Sequence, residues 1–152
     1  MVPAVENSHI MSRSAGLLPA LSHLTAVNDT RRGCVLVVDD EEEIQATLRM
    51  ALEDEGCRVW TAANGAEALA ALDECQPELI LLDMRMPVLD GWGFAAAYRQ
   101  HAEPRAPIVV MTAAQYARKW CREIGAVGCL AKPFELDEFF GVVSQYTSCV
   151  QP

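Results

Sequence analysis

"LILLDMRMPVLDGW", residues 79–92, joins a run of four apolar residues to an aspartate and then to a segment that contains turn-forming residues. Two other short runs, CVLVV at 34–38 and IVVM at 108–111, are also apolar at every position. Strands of a half-exposed sheet alternate apolar and polar residues, whereas parallel strands covered on both faces do not. These runs therefore predict buried parallel strands.

Segments of helical period separate the strands, and this alternation favours βαβ units. We predict strands at Cys34–Val38, Arg58–Ala62, Glu78–Leu82, Ile108–Met111 and Ala126–Leu130, and helices at about 42–55, 65–75, 91–101, 114–124 and 135–147. Asn64, followed three residues later by Glu67, predicts an N-cap for the second helix. Five βα repeats with right-handed crossovers predict an α/β fold with an open, doubly wound, five-stranded parallel sheet and five helices.

The chain is predicted to have one folded domain with an extension at each end. Residues 1–32 mix proline and small polar residues with scattered apolar ones, and we expect a flexible N-terminal extension with a short helix near 16–26. The domain is predicted at 33–148, followed by a C-terminal tail at 149–152. Because one helix remains after Lys132, we expect no output domain.

The composition of the chain indicates which kinds of partner and which cellular compartment to expect. The formal net charge of −9 disfavours binding to nucleic acid phosphates, and no apolar run approaches the length of a membrane-spanning helix. The six cysteines form no CxxC pair and mostly stand among apolar residues. We therefore expect buried free thiols in a reducing, cytoplasmic compartment. The cysteines are Cys34, Cys57, Cys75, Cys121, Cys129 and Cys149.

Polar residues follow four of the five predicted strands. Asp39 and Asp40 follow the first strand, Asp83 the third, Thr112 the fourth and Lys132 the fifth. The carboxyl ends of parallel strands form the edge where such sheets bind ligands. Two carboxylates about 4 Å apart repel by roughly 4 kcal/mol at an effective dielectric near 20, so the cluster needs positive charge. Mg²⁺ and the ammonium of Lys132 are the candidates, and an aspartate can then act as a nucleophile towards phosphorus.

Simpler structural roles exist for several of these residues. Asp40 can cap the first helix, and the three acidic residues Glu41–Glu43 can complement the dipole at its N-terminus, which is the interpretation we prefer for them. Thr112 can cap the fourth helix while also contacting a ligand. For Asp39, Asp40 and Asp83 together, the convergence of separate strand ends favours a site for a metal and a phosphoryl group.

At this point the sequence resembles a known family, the receiver domain of two-component response regulators. The resemblance covers about residues 33–148 and depends on the motifs VLVVDDEEE, LILLDMRMPVLDGW, PIVVMTA and CLAKPF. It implies a flavodoxin-like strand order of 2-1-3-4-5. It also implies that Asp83 is the phosphoacceptor, that Asp39, Asp40, Asp83 and the backbone carbonyl of Arg85 bind Mg²⁺, and that Thr112 and Lys132 contact the phosphoryl group.

The resemblance further implies how the protein takes part in signalling. The donor is expected to be a histidine kinase or a histidine phosphotransfer protein. With no output domain expected, the chain would be a stand-alone phosphoacceptor and not an enzyme. It would bind a downstream target protein, pass the phosphoryl group onward in a relay, or drain phosphate from a kinase. The Lys132–Pro133 bond is expected to be cis. Cys129 replaces the aromatic residue that receivers usually have three positions before the lysine, and Arg85 stands where the family tunes the access of water to the acyl phosphate.

Two other functions are compatible with such a fold. One is a receiver-fold interaction module that works without phosphorylation. The other is an aspartate-nucleophile phosphohydrolase, which needs a second aspartate two residues after the nucleophile. Arg85 occupies that position here, which disfavours the hydrolase.

Overall fold

The computed structural model describes residues 33–101 and 103–151. The predicted N-terminal extension at 1–32, with its short helix, lies outside these residues. In the described part of the chain, no helix is both long and apolar enough to span a membrane.

Strands and helices alternate along this part of the chain, as the sequence predicts. The elements are β1 (Cys34–Val38), α1 (Glu42–Asp54), β2 (Arg58–Ala62), α2 (Gly65–Cys75), β3 (Leu79–Asp83), α3 (Gly91–Tyr98), β4 (Ile108–Ala113), α4 (Ala114–Ile124), β5 (Gly128–Lys132) and α5 (Leu136–Val143). The strands form one parallel sheet in the order β2-β1-β3-β4-β5. The predicted fold class and strand order are confirmed.

The core lies on both faces of this sheet. Every residue of β1 and β3 is buried. Because side chains alternate along a strand, Leu36 and Ile80 pack on one face with Phe94 of α3, whereas Leu81 packs on the other with Phe139 of α5. The continuous apolar runs in the sequence reflect this burial on two sides.

The ends of several elements differ from the prediction. β5 begins at Gly128 instead of Ala126, because α4 ends at Gly125 with a left-handed backbone (φ 69°) and the amide of Ala126 still bonds back to Cys121. The amide of Val127 then bonds to Ile108 and leads into the strand. β5 consequently extends through Lys132, just as β3 extends through Asp83.

The prediction of six free thiols is wrong for two cysteines, because Cys57 and Cys149 form a disulfide. They are 92 residues apart in the sequence, and only the fold brings them together. Cys57 precedes β2, while Cys149 lies in the segment after α5, where Ser148 donates two hydrogen bonds to Glu78 at 2.9 Å. The disulfide lies at the amino-terminal edge of the sheet.

Candidate functional site

Three aspartates converge at the carboxyl-terminal edge of the sheet. Asp39 directly follows β1, Asp83 ends the neighbouring strand β3, and Asp40 is the next residue after Asp39. One carboxylate oxygen from each lies within 4.8 Å of the others. Asp39 is fully buried and Asp83 is 7% exposed, whereas Asp40 is exposed to solvent. The cluster therefore combines buried charge with access from outside.

Lys132 supplies the positive charge within contact distance of this cluster. Its ammonium donates a hydrogen bond to Asp39 Oδ2 at 2.7 Å and lies 3.7 Å from Asp83 Oδ1 and 3.8 Å from Glu41 Oε1. Burial alone would lower the pKa of Lys132, but the hydrogen bond to Asp39 and the charges of Asp83 and Glu41 raise it above its ordinary value. Lys132 is therefore a fixed cation at neutral pH.

The surroundings of Asp83 disfavour the ionised form of its carboxyl group. Burial, reinforced by the charges of Asp39 and Asp40, raises its pKa to about 6 although Lys132 acts in the opposite direction. A raised pKa means that the ionised form lacks solvation and compensating charge. A cation bound at this position would stabilise that ionised form.

The backbone around Asp39 is held by several hydrogen bonds. Its amide bonds to the carbonyl of Ala62 at 3.0 Å, and its Oδ1 accepts a bond from the amide of Glu41 at 2.9 Å. The side-chain amide of Gln45, one turn into α1, donates to the carbonyl of Asp39. Sequence reasoning missed Gln45, because nothing in the pattern of α1 separates it from an ordinary polar position.

The loop after Asp83 is fixed by two glycines whose amides bond to it. Gly91 bonds to the carbonyl of Met84 at 2.9 Å, and Gly65 bonds to the carbonyl of Leu89 at 2.8 Å. A Cβ atom at Gly91 would come within 2.7 Å of the Met84 backbone and 2.9 Å of the Asp83 carbonyl oxygen. The absence of a side chain at residue 91 thus allows this close approach beside Asp83.

The side chain of Arg85 is directed onto α4. Its guanidinium carbon lies 5.2 Å from the ring centre of Tyr116 and 5.0 Å from that of Trp120, and these two rings are stacked. Trp120 also meets Trp92 edge-to-face. This cation–π arrangement joins the loop that carries Asp83 to α4, a connection that the sequence did not suggest.

Thr112 lies inside β4 and is 6% exposed, one residue beyond Met111, the register partner of Asp83. It does not cap α4, because the N-cap residue is Ala113, so that interpretation is wrong. Asp40 likewise does not cap α1, whose N-cap residue is Glu41. Acidic residues do occupy the first turn of α1, as the dipole interpretation predicts.

The donor set is chemically suited to Mg²⁺. Three carboxylates with one ammonium leave an excess of negative charge among hard oxygen ligands, which is the environment that Mg²⁺ prefers. The Lys132–Pro133 bond that follows the lysine is cis, as the resemblance implied. The residues of the cluster therefore fit a magnesium ion.

Comparisons with known proteins agree with this geometry. The family model for the response regulator receiver domain matches residues 35–144. The DNA-binding transcriptional regulator NtrC of Escherichia coli (strain K12) is 37% identical over 123 residues, which are 80% of this chain and 26% of NtrC. The chain thus spans about a quarter of the length of this curated relative.

Two solved structures resemble the chain over about three quarters of its length. The chemotaxis response regulator CheY4 of Vibrio cholerae is 32% identical with a TM-score of 0.69, covering 76% of this chain and 98% of that one. The receiver domain of the sensor histidine kinase PA1611 from Pseudomonas aeruginosa PAO1 is 30% identical with a TM-score of 0.69, covering 76% and 97% respectively. That structure has a magnesium ion coordinated in its active site cleft.

Proposed function

The chain belongs to the response regulator receiver domain family, with a CheY-like fold, and on this basis we propose that it accepts a phosphoryl group from phosphohistidine onto Asp83 in a Mg²⁺-dependent reaction. The observation that carries the proposal is the convergence of Asp39, Asp40 and Asp83 within 4.8 Å, with Lys132 in contact. The magnesium ion in the related PA1611 receiver supports the same assignment.

In the proposed reaction, a carboxylate oxygen of Asp83 attacks phosphorus. The bond from phosphorus to the donor imidazole nitrogen breaks, and the product is an acyl phosphate on Asp83. Asp39, Asp40, Asp83 and the carbonyl of Arg85 would hold Mg²⁺. When bound, the ion supplies charge that offsets the carboxylates and the phosphoryl oxygens.

Lys132 and Thr112 have complementary roles in this proposal. The Lys132 ammonium already lies 3.7 Å from Asp83 Oδ1, so it is placed to bond to an oxygen of a phosphoryl group attached there. The hydroxyl of Thr112, buried next to the edge of β4, would donate to another phosphoryl oxygen. The chain is then a signalling phosphoacceptor that phosphorylates and dephosphorylates itself, and not an enzyme acting on a separate substrate.

The donor is proposed to be a histidine kinase or a histidine phosphotransfer protein. A groove of about 480 Å³ runs beside Lys132, between α1 and the segment after β5, and offers a protein donor a surface next to the acceptor. Ile44, Thr47 and Phe134 are among the residues that line it. The net charge of −9 supports a protein as the downstream target, and not a nucleic acid.

We assign the receiver domain to residues 33–148, with 1–32 as an extension, and place the chain in the cytoplasm. The segment predicted as a tail from residue 149 is instead joined to the domain, since Cys149 is disulfide-bonded to Cys57 and Val150 is 3% exposed. The domain assignment is supported by the family match at 35–144. The cytoplasmic assignment is supported by the four cysteines that are free thiols, Cys34, Cys75, Cys121 and Cys129, whereas the Cys57–Cys149 disulfide is unusual for that compartment.

Incubation with Mg²⁺ and acetyl phosphate separates the three candidate functions. For a receiver, we expect intact-mass spectrometry to show one added phosphoryl group in the wild type and none in Asp83→Asn or in the presence of EDTA. Rapid release of inorganic phosphate without accumulation of the one-phosphate adduct would indicate a phosphohydrolase. No reaction in the wild type would indicate an interaction module and contradict the proposal.

A further inference from the structure

A pair of cysteines lies at the amino-terminal edge of the sheet, on the opposite face from the Cys57–Cys149 disulfide. Cys34 is the first residue of β1, and Cys75 is the last residue of α2. Both side chains belong to the apolar cluster beneath α2, and they are 4% and 2% exposed. Neither residue has a role in the phosphoacceptor site, which lies at the other end of the strands.

The two sulfur atoms are only 2.7 Å apart. Non-bonded heavy atoms are most stable at roughly 3.5–4.0 Å, and a disulfide bond is about 2.05 Å long. The contact is therefore much shorter than ordinary packing and needs little movement to become a covalent bond. Two cysteines 41 residues apart in the sequence have been brought into bonding position by the fold.

The backbone on both sides of the pair is fixed. The amide of Glu78 bonds to the carbonyl of Cys34 at 2.8 Å, and Gln76 ends α2 with a left-handed backbone (φ 45°) while its amide bonds to Leu72. Only two residues, Gln76 and Pro77, thus separate Cys75 from the residue that is bonded to Cys34. This short connection keeps the two sulfur atoms together.

We propose that Cys34 and Cys75 form a redox-active pair that is converted to a second disulfide by hydrogen peroxide. The sulfur of Cys34 attacks one peroxide oxygen, the O–O bond breaks, and Cys34 becomes a sulfenic acid with release of water. The sulfur of Cys75 then attacks the sulfur of Cys34, so that the S–S bond forms and the S–O bond breaks. The hydroxyl leaves with the Cys75 proton as a second water.

The surroundings favour Cys34 as the attacking residue. The hydrogen bond with Cys75 lowers the pKa of the Cys34 thiol, although burial opposes this effect, and the same hydrogen bond together with burial raises the pKa of Cys75. Because Cys34 and Cys75 are only 4% and 2% exposed, the oxidant that fits the pair is one as small as hydrogen peroxide, and larger disulfide oxidants reach the sulfur atoms poorly.

Peptide mapping tests the assignment directly. The full chain is reduced completely, freed of reductant and treated with hydrogen peroxide. It is then denatured in the presence of N-ethylmaleimide, which alkylates the remaining thiols, and digested with trypsin. Trypsin places Cys34 in 33–49 and Cys75 in 59–85, separate from Cys57 in 50–58 and from Cys121. We expect a disulfide-linked 33–49/59–85 peptide pair that is absent from the untreated sample.

Two variants provide matched controls for the map. Cys34→Ser should lose the linked pair and retain Cys75 as an alkylated thiol, whereas Cys129→Ser should keep the linked pair. Peroxide should raise the melting temperature of the wild type and of Cys129→Ser by more than that of Cys34→Ser. Phosphorylation by acetyl phosphate should be unchanged by the oxidation, so the test does not depend on the proposed function.

Several results would overturn the proposal. One is recovery of Cys34 and Cys75 from the peroxide-treated wild type as alkylated thiols, most clearly when the Cys57–Cys149 link has re-formed in the same sample. Another is recovery of Cys34 as a sulfinic acid with Cys75 still a thiol. A third is linkage of Cys34 to any cysteine other than Cys75. The peptide map of the wild type alone tests the proposal, even if the serine variants fold poorly.

Discussion

The carboxyl group of Asp83 binds its proton more tightly in the folded chain than in the unfolded one, because its pKa rises to about 6 from an ordinary value of 3.8. The stability that this group contributes is therefore fully present below pH 3.8 and is lost as the pH rises through about 6. At neutral pH, without a bound cation, the ionised carboxylate destabilises the fold. The ionised carboxylate of the proposed phosphoacceptor thus lowers the stability of the fold.

We predict that Asp83→Asn increases the free energy of unfolding by about 1–3 kcal/mol at pH 8 in EDTA, because the amide removes this charge. The increase should disappear near pH 4. Mg²⁺ should stabilise the wild type more than the variant, since only the wild type keeps the full set of carboxylates. Thermal unfolding followed by circular dichroism measures all three effects.

Asp73→Asn, which alters an exposed carboxylate on α2, is the control and should have an effect within about 0.5 kcal/mol at either pH. If Asp83→Asn proved no more stable than the wild type at pH 8, Asp83 would not carry the unfavourable charge assigned to it.

At the level of loops and helices, the connection after β3 is held against α3 by Gly91. We predict that Gly91→Ala lowers the free energy of unfolding by about 1–3 kcal/mol, because the new Cβ would lie within 2.9 Å of two backbone atoms and force the loop away. Phosphorylation of Asp83 should also slow, since the displaced atoms include the carbonyl of Asp83 itself. Denaturant unfolding and the acetyl phosphate reaction measure the two effects.

Gly141→Ala is the matched control for this substitution. Gly141 lies within α5, and a Cβ there would meet nothing within 4 Å. Alanine should therefore stabilise the helix by about 0.5–1 kcal/mol and leave phosphorylation unchanged. Equal effects of the two alanines would show that the close approach at residue 91 is unimportant.

The loop after β3 also contacts α4, through the side chain of Arg85. Because the guanidinium lies over Tyr116 and Trp120, we predict that phosphorylation of Asp83 changes the tryptophan emission of the wild type. The change should be reduced by at least half in Arg85→Ala, which keeps the backbone carbonyl proposed to bind Mg²⁺. Fluorescence during addition of acetyl phosphate and Mg²⁺ measures it.

The control for the emission change is Trp60→Phe, which removes a tryptophan in β2 at the edge of the sheet, and which should retain the response. An unchanged response in Arg85→Ala, with phosphorylation intact, would show that the site does not communicate with α4 through this stack. Such a route is of interest because Cys129 stands where the family usually has an aromatic residue.

The sequence predicted the elements and the candidate cluster well, for a physical reason. Buried parallel strands require uninterrupted apolar runs, so β1, β3 and β4 are visible in the sequence, and polar residues that end such runs must meet at one edge. The stack of Arg85 on α4 could not be predicted, since it depends on how a side chain of the loop after β3 packs against two side chains of a helix distant in the sequence. The start of β5 was predicted two residues too early. Ala126 and Val127 are both apolar, and an apolar pair can belong either to the end of a helix or to a strand.

For the chain as a whole, the Cys57–Cys149 disulfide joins the beginning of β2 to the segment that follows α5. The sequence could not show that Cys57 bonds to Cys149. The two are 92 residues apart, and their contact depends on where the last segment of the chain returns to the sheet. Val150, next to Cys149, is 3% exposed and packs into the core. The C-terminal segment is thus part of the packed structure.

We predict that Cys57→Ser together with Cys149→Ser lowers the free energy of unfolding of the oxidised protein by about 2–5 kcal/mol, since a cross-link over a long loop restricts the unfolded chain. Phosphorylation by acetyl phosphate should not change, because the disulfide and the aspartates lie at opposite edges of the sheet. Dithiothreitol should lower the melting temperature of the wild type by more than that of the double variant. Equal melting temperatures for oxidised wild type and double variant would contradict this role.

The most direct test of the phosphoacceptor assignment is to locate the phosphoryl group. The protein is treated with acetyl phosphate and Mg²⁺, reduced with borohydride, which converts an aspartyl phosphate to homoserine, and digested with trypsin. We predict homoserine at residue 83 of the 59–85 peptide, and an unmodified peptide when EDTA replaces Mg²⁺. Homoserine at Asp39 or Asp40 with an intact Asp83, or labelling at residue 83 that is equally strong in EDTA, would contradict the account.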